Sequence, residues 1–119
     1  MNENITWVFA AAINEGELDN FKALAAEMIA ATEADEPGAL NYEWYINDEE
    51  NMCHIFERYA DSAAALVHLG NFGKKFAGRL MSMVKPQGMT VYGSPSDELN
   101  AALANLGATI MPAIGGFAR

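Results

Sequence analysis

Two runs of alternating side chains, separated by a short polar segment, constrain the fold of this chain more than any other feature. Residues 39–47 and 52–60 are rich in aromatic and β-branched residues, and the segment DEEN at 48–51 is typical of a tight loop. The pattern predicts an antiparallel hairpin in which Asn47 pairs with Met52, because a slip by one residue would mix apolar and charged side chains on both faces.

This register sorts the hairpin side chains onto two faces of different character. One face is apolar apart from Glu57 and is expected to lie under helices. The other mixes charged and apolar side chains, so we expect it to meet a partner subunit, and it allows Glu43 to pair diagonally with Arg58. The helix-covered face holds Leu40, Tyr42, Trp44, Ile46, Cys53, Ile55, Glu57 and Tyr59, and the second face holds Asn41, Glu43, Tyr45, His54, Phe56 and Arg58.

Strand and helix patterns alternate along the chain in the order β-α-β-β-α-β. Residues 5–13 form a continuous apolar run that predicts a strand buried on both faces, and residues 88–93 predict a fourth strand. The expected fold class is α+β, a ferredoxin-like antiparallel sheet with helices on one face. The helices cover only one apolar face of the sheet. The simplest way to bury the opposite face is to pack it against the sheet of a second copy of the chain. We therefore expect a homodimer.

Local signals set the expected limits of the helices. The first helix is predicted to follow an N-cap at Asn14, and the second to follow an N-cap at Asp61. Gly70 and Gly73 are expected to break the second helix, and Lys85-Pro86 is expected to end its continuation.

The last quarter of the chain is predicted to be an addition to this pattern. Pro95 opens a short helix that Gly107 ends, and the apolar tail after it is expected to be an edge strand or an arm. We interpret residues 1–119 as one domain, with a core at 5–93 and a C-terminal helix and arm at 94–119.

Composition narrows the classes of function. A net charge of −9 disfavours nucleic acid as a partner, and no run approaches the roughly 20 apolar residues of a membrane span. The N-terminus lacks the pattern of a signal peptide. Cys53 is the single cysteine, so we expect no disulfide, no metal site and a reducing, cytoplasmic setting. Without a phosphate-binding glycine motif, no nucleotide cofactor is expected either.

Glu57 and His68 are the candidate catalytic residues. A carboxylate among aromatic side chains is costly unless it is paired or protonated, and such perturbed groups are typical of acid–base chemistry. His68 lies about two turns into the second helix, where an imidazole can act as a proton shuttle near neutral pH. The alternatives are a structural carboxylate bonded to Tyr42, a backbone amide or Arg58, and a half-exposed helix histidine.

Two segments resemble the antibiotic biosynthesis monooxygenase family. The run EPGALNY at 36–42 is similar to its E-x-G-x-(L)-x-Y turn, and ERYAD at 57–61 with His68-Leu69 is similar to its E-x-(W/Y)-x-D…H-L segment. With the order of elements, the resemblance covers residues 5–93. It implies a dimeric α/β-barrel with a pocket between sheet and helices, in which Glu57 and His68 match recurrent polar positions.

The resemblance also implies a function. Characterised branches include cofactor-independent oxygenases of polycyclic phenols and quinols, haem-degrading enzymes and an isomerase of a quorum-sensing signal. Many members carry a second histidine a few residues beyond the position that His68 occupies here, and this chain lacks it. Its tryptophans, Trp7 and Trp44, lie in strands, which argues against haem degradation.

We therefore expect a cofactor-independent monooxygenase of a small aromatic, phenolic or quinol substrate, held by Tyr42, Trp44, Tyr59 and Phe72. The alternatives are a non-catalytic dimeric module that binds a small apolar or aromatic molecule, and an isomerase that uses the same pocket.

Overall fold

The computed structural model describes residues 2–119, in which five strands and four helices are defined. The strands are β1 (Ile5–Ile13), β2 (Ala39–Ile46), β3 (Met52–Tyr59), β4 (Val84–Tyr92) and β5 (Thr109–Met111). The helices are α1 (Leu18–Asp35), α2 (Ser62–Lys75), α3 (Ala77–Met83) and α4 (Asp97–Ala104).

The strands form one sheet in the order β2-β3-β1-β4-β5. The apolar strand β1 is central and pairs antiparallel with β3 and with β4, while β2 pairs antiparallel with β3. The short strand β5 adds to β4 in parallel at the edge. The predicted α+β class with a ferredoxin-like order is confirmed, and so is the extra C-terminal helix.

The hairpin of β2 and β3 has the predicted register, with Tyr42 opposite Glu57. The helix-covered face of β3 is buried, whereas its other face is exposed or half-buried. A β-bulge between Ala39 and Asn41 leaves Leu40 48% exposed. The prediction that Leu40 faces the helices is therefore wrong, because the extra residue of a bulge lies outside the alternation.

The predicted diagonal pair of Glu43 and Arg58 is not formed. Glu43 accepts hydrogen bonds from Asn41 and Tyr45, its own neighbours on β2. Arg58 donates instead to the side chain of Asn4, just before β1. Glu43 and Arg58 each bond to a side chain that is nearer than the diagonal partner, so the two charged groups do not pair.

The helix limits differ from the sequence predictions in two places. The N-cap position of α1 is Glu17 rather than Asn14, because Gly16, with φ at 83°, turns the chain between them, and the side chain of Glu17 makes no capping hydrogen bond. α2 continues through Gly70 and Gly73 and gives way to α3 only at Phe76. A helical glycine costs only about 1 kcal/mol relative to alanine, which packing of the helix outweighs.

β4 begins at Val84 and so includes Pro86, which was expected to precede the strand. Proline lacks the N–H that a sheet requires and is tolerated at edges and bulges. Pro86 meets both conditions. The β1–β4 register shifts between Ala10 and Ala11, which marks a bulge, and β5 pairs with β4 only from Thr90 onwards, so Pro86 lies at an edge.

Two buried apolar clusters lie on the helix-covered face of the sheet. The first joins α1 and α3 to the sheet through Phe21, Met28 and Leu80. The second surrounds Trp7 and includes two leucines of α4, so the added helix extends the core of the minimal pattern. No helix in the described part of the chain combines the length and the hydropathy needed to cross a bilayer.

Gly38, just before β2, leaves no room for a side chain. A Cβ placed there would lie 2.6 Å from the Cβ of Ala64 in α2. Gly38→Ala is therefore expected to lower the free energy of unfolding by about 1–3 kcal/mol, the usual cost of overpacking. Urea denaturation measures this change.

Ala64→Gly tests whether that contact is the cause. Alone, it should cost about 1 kcal/mol in helix propensity. Combined with Gly38→Ala, it removes the clashing Cβ, so the double variant should be more stable than the sum of the two single effects implies. Simple additivity of the two changes would contradict this explanation.

Candidate active site

Two carboxylates and one imidazole meet between the helices and the sheet. Glu57 comes from β3, His68 from α2, and Glu36 is the residue that follows α1. The Nε2 of His68 lies 3.2 Å from Glu57 Oε1, and its Nδ1 lies 2.9 Å from Glu36 Oε1. The three side chains are only 6–7% exposed. We call Glu36, His68 and Glu57 the buried triad, in which the imidazole bridges two carboxylates.

Local structure explains why these side chains converge. Alternation along β3 turns Glu57 towards the helices. Asp61 caps α2 by accepting the N–H of Ala64 at 2.8 Å, and His68 follows about two turns later on a buried face of the helix. Glu36 is held at the end of α1, where its N–H donates to the carbonyl of Thr32 at 3.0 Å.

Each carboxylate of the triad has one further polar partner. The hydroxyl of Tyr59 donates to Glu57 Oε1 at 2.6 Å, and the amide of Asn71 donates to Glu36 Oε2 at 3.2 Å. The rings of Tyr42 and Tyr59 lie against the imidazole, with centroids 5.2 Å from it in both cases. The triad is thus enclosed by hydrogen bonds and aromatic rings.

Electrostatics favour a charged imidazole and neutral tyrosines. Desolvation lowers the pKa of His68, but the hydrogen bonds and charges of Glu57 and Glu36 outweigh it, so the pKa lies above its ordinary value. Burial, and then the charge of Glu57, raises the pKa of Tyr42 and of Tyr59 well above the usual range. Both tyrosines therefore remain hydrogen-bond donors at neutral pH.

A cavity of about 210 Å³ opens onto this cluster. It is smaller than the roughly 300–1,000 Å³ typical of pockets for drug-sized ligands, and therefore suits a small molecule. Glu57, His68 and Tyr42 supply the polar part of its wall. The rest of the wall is mainly apolar, including three methionines whose flexible side chains adapt to the shape of a ligand: Met28, Met81 and Met89.

The structure brings most of the predicted site residues together. Glu57, His68, Tyr42 and Phe72 line the cavity. Tyr59 does not line it and lies behind Glu57, whose carboxylate it holds. Trp44 is also away from the wall, with its ring near Phe21 and Tyr42 at centroid distances of 5.7 and 5.9 Å.

Glu36 is the triad residue that the sequence analysis missed as a site residue. It appears there only in the EPGALNY segment at 36–42, which resembles a turn of the family. A signal was present, because Met28, Thr32 and Glu36 are spaced four residues apart on the buried stripe of the helix. That spacing indicates a buried carboxylate, although it does not identify its partner.

The other reactive residue types do not join the site. Cys53 is buried, and desolvation raises the pKa of its thiol to about 11, so it is not a thiolate at neutral pH. His54 is exposed on the opposite face of the sheet. Among residues 2–119 no group of three or more His, Cys, Asp or Glu side chains is arranged to hold a metal ion. The cytoplasmic setting expected from the lone cysteine stays a prediction.

Comparison with known proteins identifies a family. The sequence model of the family described as antibiotic biosynthesis monooxygenase matches residues 5–72. This match is shorter than the predicted core at 5–93, so the domain limits stay a prediction. At the level of sequence similarity, no curated protein matches the chain.

Solved structures share the fold. The chain is similar to MupZ from Pseudomonas fluorescens, with 27% identity, coverage of 100% of this chain and 91% of that one, and a TM-score of 0.90. SnoaB from Streptomyces nogalater, a cofactor-independent oxygenase, is 18% identical over 79% of this chain and 95% of its own, with a TM-score of 0.65. Rv0793 from Mycobacterium tuberculosis is 22% identical over 79% and 96%, with a TM-score of 0.66.

The raised pKa of His68 predicts a measurable titration. Its imidazole should titrate above about pH 6.5, the ordinary value, in an NMR titration. Protonated His68 then stabilises the fold fully below that value, and the contribution is lost as pH rises through the folded-state pKa.

Glu57→Gln should move this midpoint downwards, because it removes the hydrogen bond and charge that raise the pKa most. Glu33→Gln, an exposed change on α1, is the matched control and should leave the midpoint unchanged. A midpoint of His68 at or below the ordinary value in the wild-type protein would refute the assigned electrostatics.

Proposed function

The chain belongs to the antibiotic biosynthesis monooxygenase family, and from this premise we propose that it is a cofactor-independent monooxygenase of a small aromatic phenol or quinol. The observation that carries the proposal is the opening of an acid–base pair, Glu57 and His68, onto a small and mainly apolar cavity. SnoaB, described as a cofactor-independent oxygenase, has the same fold, which makes this scaffold compatible with such chemistry.

Glu57 is the base in this proposal. Both nitrogens of His68 are occupied by carboxylates, so the imidazole has no acceptor to offer a substrate. Both contacts that the structure gives Glu57 use Oε1, which leaves Oε2 for the proton of a phenol. His68 acts as the charged partner that stabilises the carboxylate and exchanges protons with it.

The chemistry requires no electrons from the protein. Glu57 takes the proton of the phenol, and the electron-rich ring carbon of the phenolate forms a C–O bond with dioxygen. The peroxide takes up one proton. Removal of the proton from that carbon, with cleavage of the O–O bond, then gives a quinone and hydroxide, which takes a second proton to become water. The substrate is oxidised, dioxygen is reduced, and one oxygen atom stays in the product. The protein binds the ring, supplies the base and limits water.

Turnover should depend on the acid–base pair. Glu57→Gln and His68→Ala are each expected to lower kcat by about 100-fold or more, the usual contribution of a general base. Oxygen uptake with a panel of quinols and naphthol-type phenols measures the change. Glu33→Gln is the matched control, because this exposed carboxylate lies outside the cavity wall. Undiminished turnover in both site variants would exclude the pair from catalysis.

The same assay separates the alternative functions. A non-catalytic module would bind the phenols in a thermal-shift experiment without oxygen uptake. An isomerase would convert a substrate without consuming oxygen, and product analysis would detect it. The imidazole–carboxylate pair favours the isomerase over the non-catalytic binding module, because the pair can remove a proton at one carbon and return it at another.

The functional unit in this proposal is a homodimer formed through the uncovered face of the sheet. That face carries large side chains around a shallow depression, among them Val8, Tyr45 and Phe56. Tyr45 is 56% exposed in the single chain. Covering such a patch with the same patch of a second copy follows the usual two-fold symmetry of small oligomers.

Light scattering at micromolar concentration should give the mass of a dimer. Tyr45→Asp should shift the equilibrium towards the monomer, because it places a charge in the proposed interface. Val67→Asp is the control, since Val67 is equally exposed, at 54%, but lies on α2. A monomeric wild-type protein, or equal effects of the two variants, would argue against this interface.

A further inference from the structure

Glu36 occupies the end of the buried triad that points away from the cavity. It does not line the cavity, and the imidazole of His68 stands between it and Glu57. Its sequence neighbours Asp35 and Pro37 are exposed, and Asn71, which donates to its Oε2, is half-buried. A continuous series of hydrogen bonds therefore leads from the cavity wall to a point just below the protein surface.

The two nitrogens of His68 make this series a route for protons. A protonated imidazole can release the proton on Nδ1 to one carboxylate, and after a flip of the neutral ring the bare nitrogen can accept a proton from the second. Here Nδ1 faces Glu36 at 2.9 Å and Nε2 faces Glu57 at 3.2 Å. The mainly apolar wall of the cavity offers few other polar groups through which a proton could leave.

We propose that Glu36 is a positioning and proton-transfer residue, which orients His68 towards Glu57 and passes protons between the imidazole and solvent beside Asn71. This inference rests on the proposed function, since it assigns the route by which Glu57 is regenerated. The proposed chemistry removes two protons from the substrate, one from oxygen and one from carbon, and returns two to the oxygen atom that leaves as water. Glu57 must therefore be ionised again between the two removals, and the route lets the site exchange these protons with solvent.

The proton balance of the route is complete. Glu57 holds the proton taken from the substrate, and protonated His68 gives its Nδ1 proton to Glu36. The neutral ring then flips, so that its bare Nδ1 faces Glu57 and accepts the proton of that carboxyl group, which restores the imidazolium, and Glu36 releases its proton to water. One proton moves from the cavity to solvent, no electrons move, and the triad returns to its starting charge.

The surroundings of His68 suit this role. The titratable groups that face it are Glu57 and Tyr59 from β3, Tyr42 from β2, and Glu36 after α1. Both tyrosines have raised pKa values and stay neutral, so they do not compete for the proton.

Glu36→Gln tests the route because glutamine keeps the shape and a hydrogen bond to the imidazole but cannot carry the proton. The variant should lower kcat by about tenfold or more, with KM for the phenol changed less than about threefold, since residue 36 does not touch the cavity. Raising the concentration of a small buffer, such as imidazole, should restore kcat in the variant and leave the wild-type rate unchanged. A loss of kcat without rescue by buffer would mean that Glu36 has only a structural role.

A second measurement does not depend on turnover. NMR should find that the ring N–H protons of His68 exchange with water about tenfold more slowly in Glu36→Gln than in the wild type. Asn71→Leu, which removes the outer donor without touching His68, should also slow this exchange. Equal exchange rates in all three proteins would overturn the inference, even if the oxygenase assay succeeds. Slower exchange without any oxygen uptake would keep the route and reject only the proposed reaction.

Discussion

The burial of two carboxylates against one imidazole is the interaction on which the site depends. Removing an ionised group from water costs several kcal/mol, and only close partners with good hydrogen bonds offset it. His68 supplies a charge to both Glu36 and Glu57, while Tyr59 and Asn71 each add a donor. Two carboxylates nevertheless share one imidazole. This imbalance is poor for stability, and a buried histidine with a raised pKa is typical of functional sites.

The fold supports this cluster from three directions. β3 presents Glu57 and Tyr59 on one face because side chains two residues apart point the same way. Trp7 packs on the ring of Tyr59, with centroids 4.8 Å apart, and so fixes the hydroxyl that holds Glu57. α2 brings His68 over the sheet, and the end of α1 closes the far side. Displacement of any one of these elements would leave a buried charge without its partner.

The sequence predicted the parts of this arrangement that depend on local periodicity. Alternation in the hairpin placed Glu57 under the helices, and Asp61 marked the start of the helix that carries His68. Contact between residues 36 and 68 is a long-range property that no local pattern encodes, so Glu36 was missed. Trp44 and Tyr59 were assigned to the correct face of the sheet, but neither reaches the cavity wall. The glycines of α2 were misread because tertiary packing outweighs a small propensity cost.

Pro86 bears on how copies of this protein can associate. The outer side of β4 before Thr90 has no neighbouring strand among the described residues, and such an edge normally invites another chain to add a strand. Pro86 has no N–H to offer there, and Lys85 beside it places a charge on the same segment. Further along, β5 covers β4 for only three residues before Pro112. This margin of the sheet is therefore a poor template for strand addition, which disfavours open-ended, fibre-like growth.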